Sequence, residues 1–272
     1  MKQLFEKFAE IEKSAVGRLR HLGIYGLFDG VSTSSGYLAS RLTSAQAADT
    51  MSRLSDSADV KETKSVMLEA LKKADEQLKK IQSSTTADLV RVMPTGEGQP
   101  ATVVYAHVGD SRIYKRRVDG SLELITVDQN EYHLMISSMV DGGEIDRQRA
   151  DFLRQARFVH ELADAPPELA EAFKRQNILW SSVGGQYPDF VTGTFELCPG
   201  ESIVMVTDGI SDNLSQAEMS EVLNGPVDGG DDSLVDRLVE LADRKSRRME
   251  DLRADIKRFT NRKKVVEALI ED

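Results

Sequence analysis

The stretch Ser202-Ile203-Val204-Met205-Val206-Thr207-Asp208-Gly209-Ile210-Ser211-Asp212-Asn213-Leu214 decides how the rest of the chain is read. Ile203 to Thr207 is mostly apolar and mostly β-branched, which predicts a strand buried on both faces. The run stops at Asp208-Gly209. A carboxylate at the mouth of a buried strand is held rigidly, and a glycine after it lets backbone or ligand come close. Taken alone, Asp-Gly reads as a plain turn without chemistry. The same pattern occurs earlier, however. Gly26-Leu27-Phe28-Asp29-Gly30 is another short apolar run ending in Asp-Gly, and the strand-like run from Val103 to Val108 delivers a third acid, Asp110.

Three acids at strand ends, far apart in sequence, suit hard oxygen ligation of a divalent cation such as Mg²⁺ or Mn²⁺. With four His and one Cys, the chain is poorly equipped for a soft site. The motif set resembles that of the metal-dependent protein serine/threonine phosphatases of type 2C. Its landmarks here are Phe28-Asp29-Gly30, Gly109-Asp110-Ser111-Arg112 and Thr207-Asp208-Gly209, in the family's order and approximate spacing. Ser84-Thr85-Thr86-Ala87, Thr126-Val127-Asp128-Gln129-Asn130, Gly142-Gly143-Glu144-Ile145 and Ser182-Val183-Gly184 are weaker agreements. The resemblance implies that Asp29 and Asp208 are metal carboxylates, that Gly30 offers its carbonyl, and that Asp110 serves a third, weaker metal. In that family two ions share a water that attacks phosphorus in line.

Other parts of the family pattern are missing. Its N-terminal phosphate-gripping Arg falls near Phe8, and its paired acids fall at Glu12-Lys13, where Glu12 keeps one acid and Lys13 replaces the other. Asp29-Gly30-Val31-Ser32-Thr33 lacks the two later glycines of the family loop, and Asn261-Arg262 stands where a C-terminal metal Asp belongs. Asp212, Asp251 and Asp255 are the acids left to complete a site. Metal affinity follows the number of converging carboxylates, so these losses point to a crippled site. Lys13 either serves as a counter-ion to Asp29 and Asp208 or simply points to solvent. The expectation is a weak or inactive phosphatase domain that binds a phosphoprotein or regulatory protein partner. An active phosphatase whose missing ligand lies elsewhere is the alternative.

The whole chain sets wider bounds. With 272 residues, 40% hydrophobic and 29% charged, it has ordinary globular composition. A net charge of -10 argues against nucleic acid and anionic membrane as partners. Cys198 is the only cysteine, no apolar run approaches ~20 residues, and the N-terminus lacks a signal-peptide core, so a cytoplasmic, reducing location is expected.

Helical spacing covers Lys2–Ser14, Gly36–Met51, Ser57–Gln82, Glu131–Met139, Arg147–His160, Gln216–Asn224 and Ser233–Arg244. Ala163–Gln176 extends a polar region that reads as a flap, and Lys245–Asp272 reads as a charged helix. Strands are expected at Ile24–Phe28, Ala87–Met93, Thr102–Val108, Arg112–Arg117, Leu122–Val127, Trp180–Tyr187, Val191–Leu197 and Ile203–Thr207. Hairpin signals at Pro94–Gly98 and Asp119-Gly120 predict one antiparallel meander from Ala87 to Val127. The fold class is therefore α+β, a four-layer α-β-β-α sandwich of two antiparallel sheets flanked by helices. The whole of 1–272 is taken as a single domain, with helical, divergent ends at 1–14 and 246–272.

Overall fold

The computed structural model describes residues 2–31, 35–154, 164, 166–226 and 233–247. It divides into two units, Met1–Asp208 and Gly209–Asp272. The first holds a four-stranded sheet in the order β1-β2-β3-β6 and a three-stranded sheet in the order β5-β4-β7. The strands are β1 (Ile24–Leu27), β2 (Ala87–Met93), β3 (Ala101–Val108), β4 (Arg112–Arg116), β5 (Leu122–Leu124), β6 (Val191–Leu197) and β7 (Ser202–Val206). Every pairing is antiparallel. The fold is α+β, two antiparallel sheets flanked by helices.

Alternation along β2 and β3 divides the core. Leu89, Val104, Ala106 and Val108 pack against α2 (Gly36–Met51) and α3 (Val60–Lys80), together with Met51, Met67, Leu71 and Leu78. The opposite face presents Val90, Val103 and Tyr105, which meet Ile113 of β4 and Ile203 and Met205 of β7 across the sheet-to-sheet interface. Each fully buried Leu or Met contributes roughly 1.5–3 kcal/mol relative to exposure. Arg91, on the helix-facing side of β2, is buried, and one of its η-nitrogens donates to the Ala58 carbonyl and the Thr63 hydroxyl. Asp59 caps α3 by accepting from the Glu62 N–H at 2.8 Å.

The first helix, α1 (Lys2–His21), covers the expected Lys2–Ser14 and runs on to within three residues of β1. Ala15 is buried, and Ile11 and Leu19 pack against the helix–sheet core. A third helical region, α4 (Glu131–Asp141), α5 (Arg147–Arg154) and α6 (Pro167–Phe173), closes on its own small core of Tyr132, Ile136, Leu153, Leu169 and Phe173. In the second unit, α7 (Asp208–Ser211) leads to α8 (Gln216–Leu223), whose capping box joins Ser215 and Glu218. Another helix, α9, includes residues 233–247.

Four expectations are corrected. Ala87 to Val127 is not one meander: β2–β3 and β4–β5 are separate hairpins in different sheets, and the chain crosses between them at Gly109-Asp110-Ser111. Leu122–Val127 forms a strand only through Leu124, beyond which Ile125 still donates to the Ile113 carbonyl at 2.9 Å before the chain leads to α4. Trp180–Tyr187 makes no strand, and Val183 forms only an isolated bridge to Thr85. Its backbone is instead fixed from α3, where Asp75 accepts from the Gly184 N–H at 2.8 Å. Lastly, β7 is half-buried apart from Val206, because it is an edge strand of its sheet. The readings placed on Ser32 and Thr33, on residues 155–160 and on 248–272, including Asp251, Asp255 and Asn261-Arg262, lie outside the described residues. Among the described residues no helix is long and apolar enough to cross a membrane.

Candidate metal centre

The three Asp motifs leave their strands at one end of the sandwich. β1 pairs Leu27 with Asp88, β2 pairs Ala87 with Val108, and β4 opens with Arg112 opposite Val206. Asp29, Thr86, the Gly109-Asp110-Ser111 crossing and Asp208 therefore follow directly from paired strand ends. The backbone of Asp29 is fixed on three counts. Its carbonyl accepts from the Thr86 N–H at 2.8 Å and the Thr85 hydroxyl at 2.7 Å, and its N–H donates to Thr86 Oγ1 at 3.1 Å. Thr86 Oγ1 is in turn hydrogen-bonded to Ser111 Oγ at 2.8 Å. The weak match Ser84-Thr85-Thr86-Ala87 thus supplies the clamp for the first acid and ties it to the residue beside Asp110.

Glycine is required at two points of this end. A Cβ on Gly30 would lie 2.0 Å from the carbonyl oxygen of Gly36, which starts α2. A close backbone approach therefore excludes a side chain there, whatever the Gly30 carbonyl does. Gly109 sits at φ +111°, and a Cβ on it would press on Thr86 at 2.7 Å. Gln129 holds this crossing from the other side: its Oε1 accepts from the Gly109 N–H at 2.9 Å, and its own N–H donates to the Gly109 carbonyl at 2.8 Å. Sequence reading noted Gln129 only within the weak agreement Thr126-Val127-Asp128-Gln129-Asn130, which gave no sign of this role.

Asp29 and Asp208 come together at the strand ends, close enough that the Asp208 carboxylate acts on Asp29. Burial, then the charge of Asp208, push Asp29 up from 3.8 to about 6. An oxygen-only pair that repels itself is the donor chemistry a hard divalent cation relieves. The pair, with the adjacent Gly30 carbonyl, fits such an ion. Asp110 lies buried at the sheet crossing. Among the described residues no group of three or more His, Cys, Asp or Glu side chains is placed to hold a metal ion.

Glu12 and Lys13 lie on α1, not on a strand beside β1. The side chain of Lys13 is exposed, which favours the solvated reading over a counter-ion at the acids. Phe8, at the place of the missing arginine, is also on α1.

A second polar cluster lies close by, under the crossing. His107 Nδ1 meets Asp88 Oδ1 at 2.7 Å, and its Nε2 faces the Val127 carbonyl at 3.2 Å. The carbonyl fixes a proton on Nε2, so a second proton lies between Nδ1 and Asp88. Arg112 makes a fork onto Asp128, with Nε to Oδ1 at 2.9 Å and an η-nitrogen to Oδ2 at 2.7 Å. Burial alone would raise the Asp128 carboxyl, but His133 and Arg112 hold it below the usual carboxylate range. Burial pulls His133 itself down to about 4, leaving it neutral.

The sequence model described as protein phosphatase 2C matches residues 27–254. Among solved structures, the chain is similar to the S. agalactiae serine/threonine phosphatase, at 22% identity and TM-score 0.60, over 82% of this chain and 81% of that one. It is similar to the Mycobacterium tuberculosis serine/threonine phosphatase PstP/Ppp at 21% and 0.57, over 82% of each chain. It also resembles the catalytic domain of the phosphatase PstP in complex with two manganese ions, at 21% and 0.55, over 82% of this chain and 81% of that one. No curated protein matched the sequence.

Proposed function

Since the chain belongs to the protein phosphatase 2C family, we propose that Asp29 and Asp208, with the Gly30 carbonyl, take up Mg²⁺ or Mn²⁺ in a site reduced from the family's, and that the domain binds phosphoproteins while turning them over slowly. The observation that carries this reading is the close approach of Asp29 and Asp208, two acids brought together at strand ends. The manganese in the PstP catalytic domain supports the choice of cation. A bound hard cation supplies charge stabilisation to a phosphoryl group.

The chain's own contribution is positioning. Thr85 and Thr86 hold the Asp29 backbone, Gln129 holds the crossing, and Gly30 packs against the Gly36 backbone at the start of α2. What is lacking is the second half of the family's machinery. The segment that would bring the phosphate-gripping arginine and an acid pair is here the helix α1, with Lys13 in solvent. Phosphoryl transfer depends on positioning and electrostatics, and losing one such stabiliser commonly costs about 10²–10³ in turnover.

Hydrolysis of p-nitrophenyl phosphate and of a phosphothreonine peptide in millimolar Mn²⁺ tests the reading. Turnover barely above background is expected. Robust turnover that disappears on Asp29→Ala would overturn it, and would favour a complete site finished by an acid such as Asp251 or Asp255.

A further inference from the structure

Gln129 is buried, and each of its four polar atoms has a partner. Two of them reach the sheet crossing: Oε1 accepts from the Gly109 N–H, and the backbone N–H donates to the Gly109 carbonyl. The other two reach the segment 179–189. Nε2 donates to the Asp189 carbonyl at 2.8 Å, and the backbone carbonyl accepts from the Trp180 N–H at 3.0 Å. The side-chain amide alone therefore spans two backbone stretches that lie far apart in sequence. An apolar side chain of the same size would fill the space but leave the Gly109 N–H and the Asp189 carbonyl without this partner.

The segment 179–189 carries no ligand of the cation site, yet it is tied to the clamp on Asp29. Val183 and Thr85 exchange both backbone hydrogen bonds, at 2.9 and 3.1 Å, and Thr85 Oγ1 donates to the Asp29 carbonyl. Asp189 is held at its other end by the buried Ser181, whose Oγ accepts from the Asp189 N–H at 2.8 Å. From the crossing, Ser111 Oγ bonds Thr86 Oγ1, which accepts from the Asp29 N–H. These bonds close a ring. It runs from Asp29 through Thr85 and Val183 to Asp189, across the Gln129 amide to Gly109, and back through Ser111 and Thr86 to Asp29. A polar ring is stiff only while every link is made, and Gln129 is the link between its two halves. Gly109, at φ +111°, has no side chain of its own to fix the crossing.

We propose that Gln129 is a positioning residue of the cation site: its amide braces the segment 179–189 against the Gly109-Asp110-Ser111 crossing, and the closed ring holds Asp29 in place for the ion. The proposal rests on the reading of Asp29 and Asp208 given above and adds the element that aims them. Residues that orient metal ligands without touching the metal commonly contribute about 10–100-fold to affinity.

Gln129→Met keeps the volume and removes the amide. Hydrogen exchange of the metal-free protein is read at the Thr86 and Val183 amides, which belong to the ring and do not touch Gln129. Both should lose protection relative to the amides of β3, which report global stability. In calorimetric titration, the folded variant should bind Mn²⁺ about 10–100-fold more weakly than wild type. Leu71→Ala, in the helix–sheet core, should lose stability and keep wild-type Mn²⁺ affinity, which separates positioning from mere destabilisation. Should Gln129→Met fail to fold, the exchange comparison is made on Gln129→Glu, which keeps the acceptor for Gly109 and loses the donor to Asp189. Wild-type protection at Thr86 and Val183, or unaltered Mn²⁺ affinity in the variant beside a wild type that binds, overturns this proposal alone. A wild type that takes up no Mn²⁺ overturns the cation reading and the proposal with it.

Discussion

Asp29 and Asp208 face each other as like charges, whereas Asp88 of β2 and Asp128, beyond β5, each face a base. The pairs differ in burial as well as in partner. Asp88 and Asp128 are almost wholly enclosed, and each is matched, by His107 and by the Arg112 fork. Asp29 and Asp208 are half-exposed and are matched only by one another. The compensated acids tie neighbouring strands, Asp88 to His107 across β2 and β3, and Asp128 beyond β5 to Arg112 of β4. The uncompensated pair is disfavoured in isolation and persists because Thr85, Thr86 and the end of β7 hold its backbone. Electrostatic strain of this kind agrees with the cation site proposed above.

Mutations should separate the two clusters sharply. Arg112→Ala leaves Asp128 buried beside a neutral imidazole, and breaking a buried pair from one side costs about 3–5 kcal/mol. Denaturant unfolding should show that loss, and a cost under about 1 kcal/mol would mean that the fork is not structural. Gly30→Ala comes next. Its Cβ would meet backbone, not a side chain that can turn away, so about 1–3 kcal/mol of overpacking is expected together with loss of cation binding. A variant as stable as wild type would show that the contact with Gly36 relaxes easily.

The acid pair should respond in the opposite direction. Folding raises Asp29 from 3.8 to about 6, so the folded chain holds this proton more tightly than the unfolded one. Its stability penalty is therefore full above pH ~6 and vanishes as the pH falls toward ~4. Complete linkage would amount to roughly 3 kcal/mol, and partial solvent exposure reduces it to about 1 kcal/mol. Asp29→Asn should stabilise the metal-free protein by that amount at pH 7 and by nothing near pH 4. Destabilisation at pH 7 would place Asp29 among the structural acids.

The sequence carried this contrast unevenly. Asp29, Asp110 and Asp208 were legible because each ends an apolar run, and hairpin chemistry at 94–98 and 119–120 located the antiparallel ladders. The switch of sheets at Gly109-Asp110-Ser111 was not legible, since a strand period is the same whichever sheet the strand joins. Trp180–Tyr187 misled because Val183 there bridges Thr85 without forming a ladder. Helical spacing gave α1 correctly, across residues where motif alignment placed the family's paired acids. Spacing was the better guide because it reflects the burial of Ile11, Ala15 and Leu19. Gln129 was invisible as a functional group, because only the packed structure shows what its side chain faces.

The most direct test is calorimetric titration of the metal-free protein with Mn²⁺ at several pH values. Binding is predicted, with affinity falling as the pH drops through about 6 and the Asp29 proton competes with the ion. Asp208→Ala should abolish it. A folded wild-type chain that takes up no Mn²⁺, or an Asp208→Ala variant that binds it equally well, would contradict the assignment of these two acids as a cation site.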